Sequence, residues 1–295
     1  MECLEMKNNK ILYIDNLRAL IIVLMVAGHA VHPFKLDGGE LCNFPDPSSL
    51  SFFNIISELG MTFRMPMLFF ISGYMMAKTL SSKTASRAFI DRLHRLGIPF
   101  IFGLLTIAPL NVSIESHFQG QVFHSINDWR AFIYTTFMAG KLLNHLWFMP
   151  FLLFLNSITI VGYHAFRPRL APVFNQLKCK HHMILCLMAT AIFIYVFIIY
   201  ASYGRFHIFR LCPLMSFFAM PAMSNLMGYL LGIFTFEQNW LTKLPSKFHP
   251  KFYLLAIMAY CIAYLGWAAE YYFPVQSYIL MPFLYGVTVL TCGVL

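Results

Sequence analysis

The chain has 295 residues, of which 59% are hydrophobic and only 11% are charged. A soluble domain carries roughly 25% charged residues, and a single hydrophobic core stops growing at about this chain length. The composition therefore argues against a soluble enzyme and indicates an integral membrane protein. The net charge of +9 does not indicate nucleic-acid binding, because Lys and Arg lie in short loops between apolar runs.

Hydropathy predicts the elements in chain order. A helix that spans a bilayer needs about 20 mostly apolar residues. Eight runs qualify, which predicts an all-α, polytopic membrane helical bundle that forms one domain over residues 1–295. The predicted spans are 11–31, 52–77, 96–114, 143–165, 183–201, 211–234, 252–272 and 276–295. A shorter apolar run at 131–139 predicts a re-entrant or interfacial piece, and the apolar end suggests a C-terminally shortened chain.

The loop charges predict the orientation of these spans. With the N-terminus in the cytoplasm, 14 of the 21 Lys and Arg residues fall in cytoplasmic segments and five in outer segments. This is the positive-inside pattern, and it supports a multi-pass protein with an even number of spans and a cytoplasmic N-terminus. The seven cysteines contain no CxxC pair, so we predict neither a metal site nor a disulfide framework.

The first predicted span carries three ionisable residues, Asp15, Arg18 and His29. A charge in a bilayer core is costly, so each one calls for a reason. In a helix, Arg18 and His29 lie within roughly 20° of one face and about 16 Å apart along the axis. Asp15 is three residues before Arg18 and can pair with it. The alternatives are a hydrogen-bonded structural histidine and an arginine that snorkels to the headgroups.

Arg64 lies deep in the second predicted span, and Glu58 lies nearer the outer end of the same span. Pro66 loosens the helix next to Arg64, while Gly73 permits close helix packing. Arg64 is either a contact for substrate or a buried partner of Glu58.

The segment between the second and third spans contains Arg92 and Arg95, which an α-helix places on one face. Two guanidinium groups on one face suit a phosphate ligand, although they also fit an ordinary positive-inside loop. At the start of the fourth span, His145 and Trp147 lie in the same leaflet as His29. They are candidates for acceptor contacts, or else a solvated histidine and an aromatic-belt tryptophan.

Four blocks between residues 11 and 155 carry a resemblance to a known family. They read YIDNLRALIIVLMVAGHA, FRMPMLFFISGY, RLHRLGIPF and HLWFMPFLLF. The first resembles the opening span of the acyltransferase family 3 membrane proteins, with Arg18 and His29 at that family's spacing, and the third holds its RxxR motif as Arg92 and Arg95. The other two look most like the branch containing the glucans biosynthesis protein C.

The resemblance implies a membrane O-acyltransferase. Such proteins move an acyl group from cytoplasmic acyl-CoA to a sugar hydroxyl on the far side of the membrane, so the expected partners are the lipid bilayer, acyl-CoA and a glycan or glucan. No permanently bound cofactor is expected, and acetyl-CoA or succinyl-CoA acts as co-substrate. The family usually has about ten spans, so this chain is expected to be shortened.

The resemblance implies a role in acyl transfer for each candidate residue. Arg92 and Arg95 would hold the CoA phosphates, Arg18 braced by Asp15 would line the passage, and His29 would act as general base. Arg64, Glu58, His145 and Trp147 would contact acceptor or oxyanion. The alternatives are a secondary transporter or flippase for an anionic or glycan-linked substrate, and a non-catalytic fragment. The absence of a detectable repeat weighs against the transporter.

Overall fold

The computed structural model describes residues 2–31, 34, 51–176, isolated helical positions between 187 and 202, and 208–240. This part of the chain is mostly helical, as predicted. Its α-helices are α1 (Glu2–Ala30), α2 (Ser51–Ser82), α3 (Ala85–Arg92), α4 (Ile98–Leu105), α5 (Ile107–Phe118), α6 (Ile126–Met138), α7 (Phe148–Gln176) and α8 (Ala219–Glu237). The predicted spans 252–272 and 276–295, and most of 183–201, lie outside the described residues.

Helices α1 and α2 contain the first two predicted spans and pack as an antiparallel pair. Ile14 and Ile21 of α1 form a buried cluster with Ile71 of α2. Arg64, earlier in α2, instead reaches Leu24, later in α1. Because the contact positions move in opposite directions along the two helices, α1 and α2 run antiparallel.

Helices α2 and α8 make the closest helix contact in the described structure. A Cβ atom on Gly73 would lie 2.0 Å from the Tyr229 carbonyl oxygen, and one on Gly232 would lie 2.0 Å from that of Phe70. Gly228 faces Pro66 in the same way, at 2.6 Å. Gly228 and Gly232 form a GxxxG motif, which lets helix backbones approach closely inside a membrane. Since Gly228 faces Pro66 and Gly232 faces Phe70, the two helices run parallel.

Helix α7 completes the central packing beside α2 and α8. The rings of Phe69 and Phe151 lie 5.5 Å apart between α2 and α7. The Tyr229 hydroxyl of α8 reaches Asn156 of α7, and the Tyr163 hydroxyl donates to Glu237 Oε1 at 2.6 Å. The residue numbers of the contacting pairs increase together along both helices, so α7 and α8 are also parallel.

A continuous helical stretch runs from Ala85 to Phe118. It is the one stretch in the described residues that is long and apolar enough to cross a membrane by length and composition. It is not a uniform α-helix, because a π-turn occupies Leu93–Gly97 and a turn at Thr106 separates α4 from α5. The predicted third span, 96–114, lies within this stretch, and the predicted loop before it is helical as well.

The sixth predicted span, 211–234, begins differently from the prediction. Its first eight residues belong to a two-stranded antiparallel hairpin, β1 (Ile208–Cys212) and β2 (Met215–Phe218), and the helix begins only at Ala219. Pro213 lies in the turn and has no N–H to continue a helix. The hairpin is held in place because Phe217 stacks on Phe151 with ring centroids 4.7 Å apart. The fold is therefore a helical bundle with one small hairpin.

The predicted piece at 131–139 belongs to α6, a 13-residue helix that is too short to span a bilayer. Ser125 caps its first turn by accepting a hydrogen bond from the Asp128 N–H at 3.1 Å. The Trp129 indole donates to the Ser113 hydroxyl of α5 at 2.7 Å, which fixes α6 against the end of the 85–118 stretch.

Candidate functional site

Arg64 is the most deeply buried charged side chain of the predicted site, with 5% of its surface exposed. Its Nη1 donates to the Leu24 carbonyl oxygen at 2.7 Å. The guanidinium crosses α1 where Gly28 has no side chain, since a Cβ there would lie 1.5 Å from Nη1. Gly60, one turn before Arg64 on α2, leaves room on the other side, where a Cβ would lie 2.7 Å from Cζ. Two glycines thus form the slot that holds this cation.

His29 follows Gly28 directly and is half-buried. Its Nδ1 lies 2.7 Å from the Met25 carbonyl oxygen, one turn back on α1. A carbonyl oxygen only accepts, so this contact assigns the proton of the neutral ring to Nδ1. Nε2 is then the basic nitrogen. The backbone of α1 therefore favours this tautomer.

Arg18 lies about three turns and Asp15 about four turns closer to the N-terminus of α1 than His29, and both side chains are exposed. The continuous helix from Glu2 to Ala30 keeps the predicted axial separation of about 16 Å between Arg18 and His29. In the described part of the chain, the structure records no ion pair between Asp15 and Arg18. Arg18 lies within electrostatic range of Arg92 instead.

Arg92 ends α3, and Arg95 lies inside the π-turn that follows. A π-turn has a longer hydrogen-bonding period than an α-helix, so it changes the relative direction of the two side chains. Arg92 is half-buried and lies near the Tyr229 hydroxyl, whereas Arg95 is exposed. Arg92 nevertheless interacts electrostatically with both Arg95 and Arg18. Arg92 therefore lies within electrostatic range of both other predicted cations, although the exposure of the three side chains differs.

Concentrating positive charge in this way is unfavourable in the empty protein, because like charges repel. Asp91 offsets part of the repulsion, since it interacts with Arg92 and Arg95. The same carboxylate also forms an exposed ion pair with Lys83, in the connection between α2 and α3. A di- or polyanionic ligand is the natural complement of the cluster formed by Arg18, Arg92 and Arg95, because it removes the repulsion and accepts charge-assisted hydrogen bonds.

The chain matches a known family over nearly its whole length. The family model described as an acyltransferase domain, acyltransferase 3, matches residues 11–295. The chain belongs to the acyltransferase 3 family. It is therefore an acyltransferase, and the family-level prediction made from the four motif blocks is confirmed. Acyltransferase 3 proteins are generally membrane proteins. No curated protein and no solved structure matches the chain.

In this acyltransferase, Trp147 is half-buried and packs against the central cluster of α2, α7 and α8. It lies in a 3₁₀ turn, Asn144–Trp147, that leads into α7. The side chains of Glu58 and His145 lie outside the described residues, so their predicted contacts with acceptor remain predictions.

The acyltransferase also contains a buried polar network that the sequence analysis did not identify. The Tyr229 hydroxyl lies 2.9 Å from Asn156 Oδ1 and 3.1 Å from Thr159 Oγ1. Asn225, one turn before Tyr229, is fully buried as well. The available signal was the presence of Asn156 and Asn225 inside apolar runs, where a polar side chain usually has a functional or packing reason.

Proposed function

We propose that this acyltransferase transfers an acyl group from cytoplasmic acyl-CoA to a hydroxyl of a glycan outside the cytoplasm, with His29 as general base. One observation carries the proposal, namely the placement of two chemically different groups along α1. Arg92 interacts electrostatically with Arg18 and Arg95 near one level of the helix, while Arg64 contacts α1 at Leu24 and Gly28, next to His29, about 16 Å further along it.

The two levels suit the two parts of an acyl-CoA molecule. The phosphates are polyanionic and match the cluster formed by Arg18, Arg92 and Arg95. The pantetheine arm separates these phosphates from the thioester by a distance comparable to the spacing between Arg18 and His29. A donor bound with its phosphates at Arg92 therefore brings its thioester toward His29.

The direction of the helices supports a multi-pass arrangement with a cytoplasmic N-terminus. Helices α2, α7 and α8 correspond to the second, fourth and sixth predicted spans, and they run parallel, as alternating passages require. The stretch that holds Arg92 and Arg95 begins three residues after the end of α2. The positive-inside pattern puts that end in the cytoplasm, where acyl-CoA is available.

The chemical step follows from the tautomer of His29. Nε2 takes the proton of the acceptor hydroxyl while the hydroxyl oxygen attacks the thioester carbonyl carbon. When the tetrahedral intermediate collapses, the carbon–sulfur bond breaks, and the imidazolium returns the proton to the departing CoA thiolate. Arg64 is held against Leu24 and Gly28 of α1, next to His29 in the sequence, and is suited to stabilise the negative charge that develops on the carbonyl oxygen.

The acyl group and acceptor are proposed from the resemblance of two blocks to the glucans biosynthesis protein C branch. In the FRMPMLFFISGY block, Arg64 contacts α1 and Pro66 faces α8. We therefore assign acetyl-CoA or succinyl-CoA as donor and a periplasmic or other extracytoplasmic glycan as acceptor, which places the protein in the inner membrane.

The test uses the full chain, purified and reconstituted in liposomes, with acetyl-CoA and succinyl-CoA outside and a soluble glucan inside. The wild-type protein is expected to release CoA in a glucan-dependent way, and His29→Ala is expected to lose at least about 100-fold in rate. His117→Ala is the matched control, because His117 is exposed at the end of α5. An unaltered rate in a folded His29→Ala protein would remove His29 from the mechanism.

A further inference from the structure

Two buried amide side chains in the centre of the bundle lack hydrogen-bond partners in the described structure. Asn225 on α8 is 0% exposed, and neither its Oδ1 nor its Nδ2 has a partner. Asn156 on α7 is also 0% exposed, and its Nδ2 has none. A buried polar group without a partner costs roughly 1–3 kcal/mol, so three such atoms on two adjacent helices call for an explanation.

Tyr229 places the two amides at one level of the bundle. Its hydroxyl contacts Asn156 Oδ1 at 2.9 Å, so the amide end of Asn156 lies at the tip of the Tyr229 side chain. Helical side chains lean toward the N-terminus of their own helix, and for Tyr229 that direction leads toward Asn225, one turn earlier. Asn156 therefore contacts Tyr229, and Asn225 lies one helical turn before Tyr229 on α8.

That level lies between the cation cluster and the predicted base. Gly228 faces Pro66, so Asn225, three residues earlier on the parallel helix α8, is close to the height of Arg64 on α2. Arg64 in turn contacts α1 beside His29. On the other side, Arg92 interacts electrostatically with Tyr229, which contacts Asn156. A molecule that extends from Arg92 toward His29 passes the level of Asn156 and Asn225.

We propose that Asn225 and Asn156 bind the amide group that adjoins the thioester in the pantetheine arm of the donor. The proposal rests on acyl-CoA being the donor. A secondary amide offers one N–H and one carbonyl oxygen, and Asn225 offers the complementary acceptor and donor from a single side chain. Asn156 Nδ2 supplies a further donor to the carbonyl oxygen. The thioester is then held at the height of His29 by groups that do not react.

The proposal predicts opposite effects on function and stability. Asn225→Leu removes an amide that has no partner in the empty protein, so it should leave the thermal unfolding temperature unchanged or raise it. The same change should raise the KM for acyl-CoA about tenfold, because the bound amide loses both partners. Ser224→Ala is the matched control, since the Ser224 hydroxyl already donates to Pro221 O of its own helix at 2.9 Å.

A panel of donors separates the amide site from the phosphate site. The panel contains acyl-CoA, acyl-pantetheine, the N-acetylcysteamine thioester and an alkyl thioester of equal length without an amide. Asn225→Leu should raise the KM for the first three and leave the fourth unchanged. Arg92→Leu should raise the KM for acyl-CoA alone, because the other donors carry no phosphate. The wild-type protein should bind the N-acetylcysteamine thioester about tenfold better than the alkyl thioester.

Each result decides the proposal. An unchanged KM in Asn225→Leu, with acyl-CoA turnover intact in wild type, overturns the amide site and leaves the proposed function standing. Equal KM values for the N-acetylcysteamine and alkyl thioesters overturn it without any variant. If wild type turns over none of the four donors, the proposed function fails and this inference fails with it. A rise in KM of Asn225→Leu for the amide-containing donors alone supports both the amide site and the proposed function.

Discussion

Arg64 Nη1 donates to the carbonyl oxygen of Leu24 at 2.7 Å, which ties the second helix to the first across 40 residues of sequence. That carbonyl oxygen belongs to α1, whose own backbone ladder already uses it, so the guanidinium is an additional donor. The contact lies at the outer half of the predicted first span, next to His29. It joins two of the four residue blocks that carry the family resemblance.

Gly28→Ala is predicted to disrupt this contact. A methyl group at residue 28 would lie 1.5 Å from Arg64 Nη1, so the guanidinium must move or the helices must separate. Overpacking of this kind typically costs about 1–3 kcal/mol, and here it also displaces a buried cation. We expect a lower unfolding temperature in detergent and a lower transfer rate.

A double-mutant cycle identifies the cause of that loss. Arg64→Met shortens and neutralises the side chain that occupies the slot, so Gly28→Ala should cost less stability in the Arg64→Met protein than in wild type. Additive losses in the two single variants and the double variant would show that Gly28 is required for some reason other than Arg64.

The contact between α2 and α8 gives a second prediction. Gly73→Ala and Gly232→Ala each put a Cβ atom 2.0 Å from a backbone carbonyl oxygen, which no side-chain rotation can relieve. Each change should destabilise the protein by about 3 kcal/mol, measured as thermal unfolding in detergent. Gly103→Ala is the control, because its Cβ would meet only the flexible Leu146 side chain, at 3.2 Å. Equal unfolding temperatures for the three variants would contradict the close backbone contact.

The sequence predicted the long helices because a hydropathy profile gives the length of each apolar run. An apolar run of about 20 residues has few possible structures other than a helix. It did not predict the hairpin at Ile208–Phe218. A short apolar run fits a strand as well as a helical turn, and the stacking of Phe217 on Phe151 decides between them. It also did not predict the π-turn at Leu93–Gly97, because one additional residue in a helical turn leaves no mark on an apolar periodicity.

The candidate site divides in the same way. The sequence identified Arg18, His29 and Arg64, because ionisable residues inside apolar runs are energetically costly and can be recognised from the sequence alone. Their partners were not visible, because backbone carbonyl oxygens carry no sequence signal. Met25 O contacts His29, and Leu24 O accepts from Arg64.

Arg92 and Arg95 should differ in their dependence on salt. Both variants, Arg92→Gln and Arg95→Gln, should raise the KM for acyl-CoA at low ionic strength. The exposed Arg95 acts through water, and ions screen such charges over about 3 Å at 1 M salt. The Arg95 effect should therefore vanish at high salt, whereas the effect of the half-buried Arg92 should persist.

The assay for this difference is the KM for acyl-CoA across a salt series in liposomes. Arg130→Gln is the matched control, because Arg130 is an exposed arginine on α6, outside the cation cluster. It should leave KM unchanged at every salt concentration. If the Arg92 and Arg95 effects fade in parallel, the two side chains act in equivalent solvent environments and the π-turn does not distinguish them.

Tyr229→Phe should destabilise the contact between α7 and α8 without changing its shape. The hydroxyl is the partner of Asn156 Oδ1, so its removal leaves the whole buried amide of Asn156 without a partner. An unsatisfied buried group costs roughly 1–3 kcal/mol, whereas removing both partners together can be nearly neutral. The double variant Tyr229→Phe with Asn156→Leu should therefore unfold at a higher temperature than Tyr229→Phe alone. Tyr134→Phe, at an exposed position of α6, controls for loss of a tyrosine hydroxyl. A double variant less stable than either single one would mean that Asn156 has a partner other than Tyr229 in the folded protein.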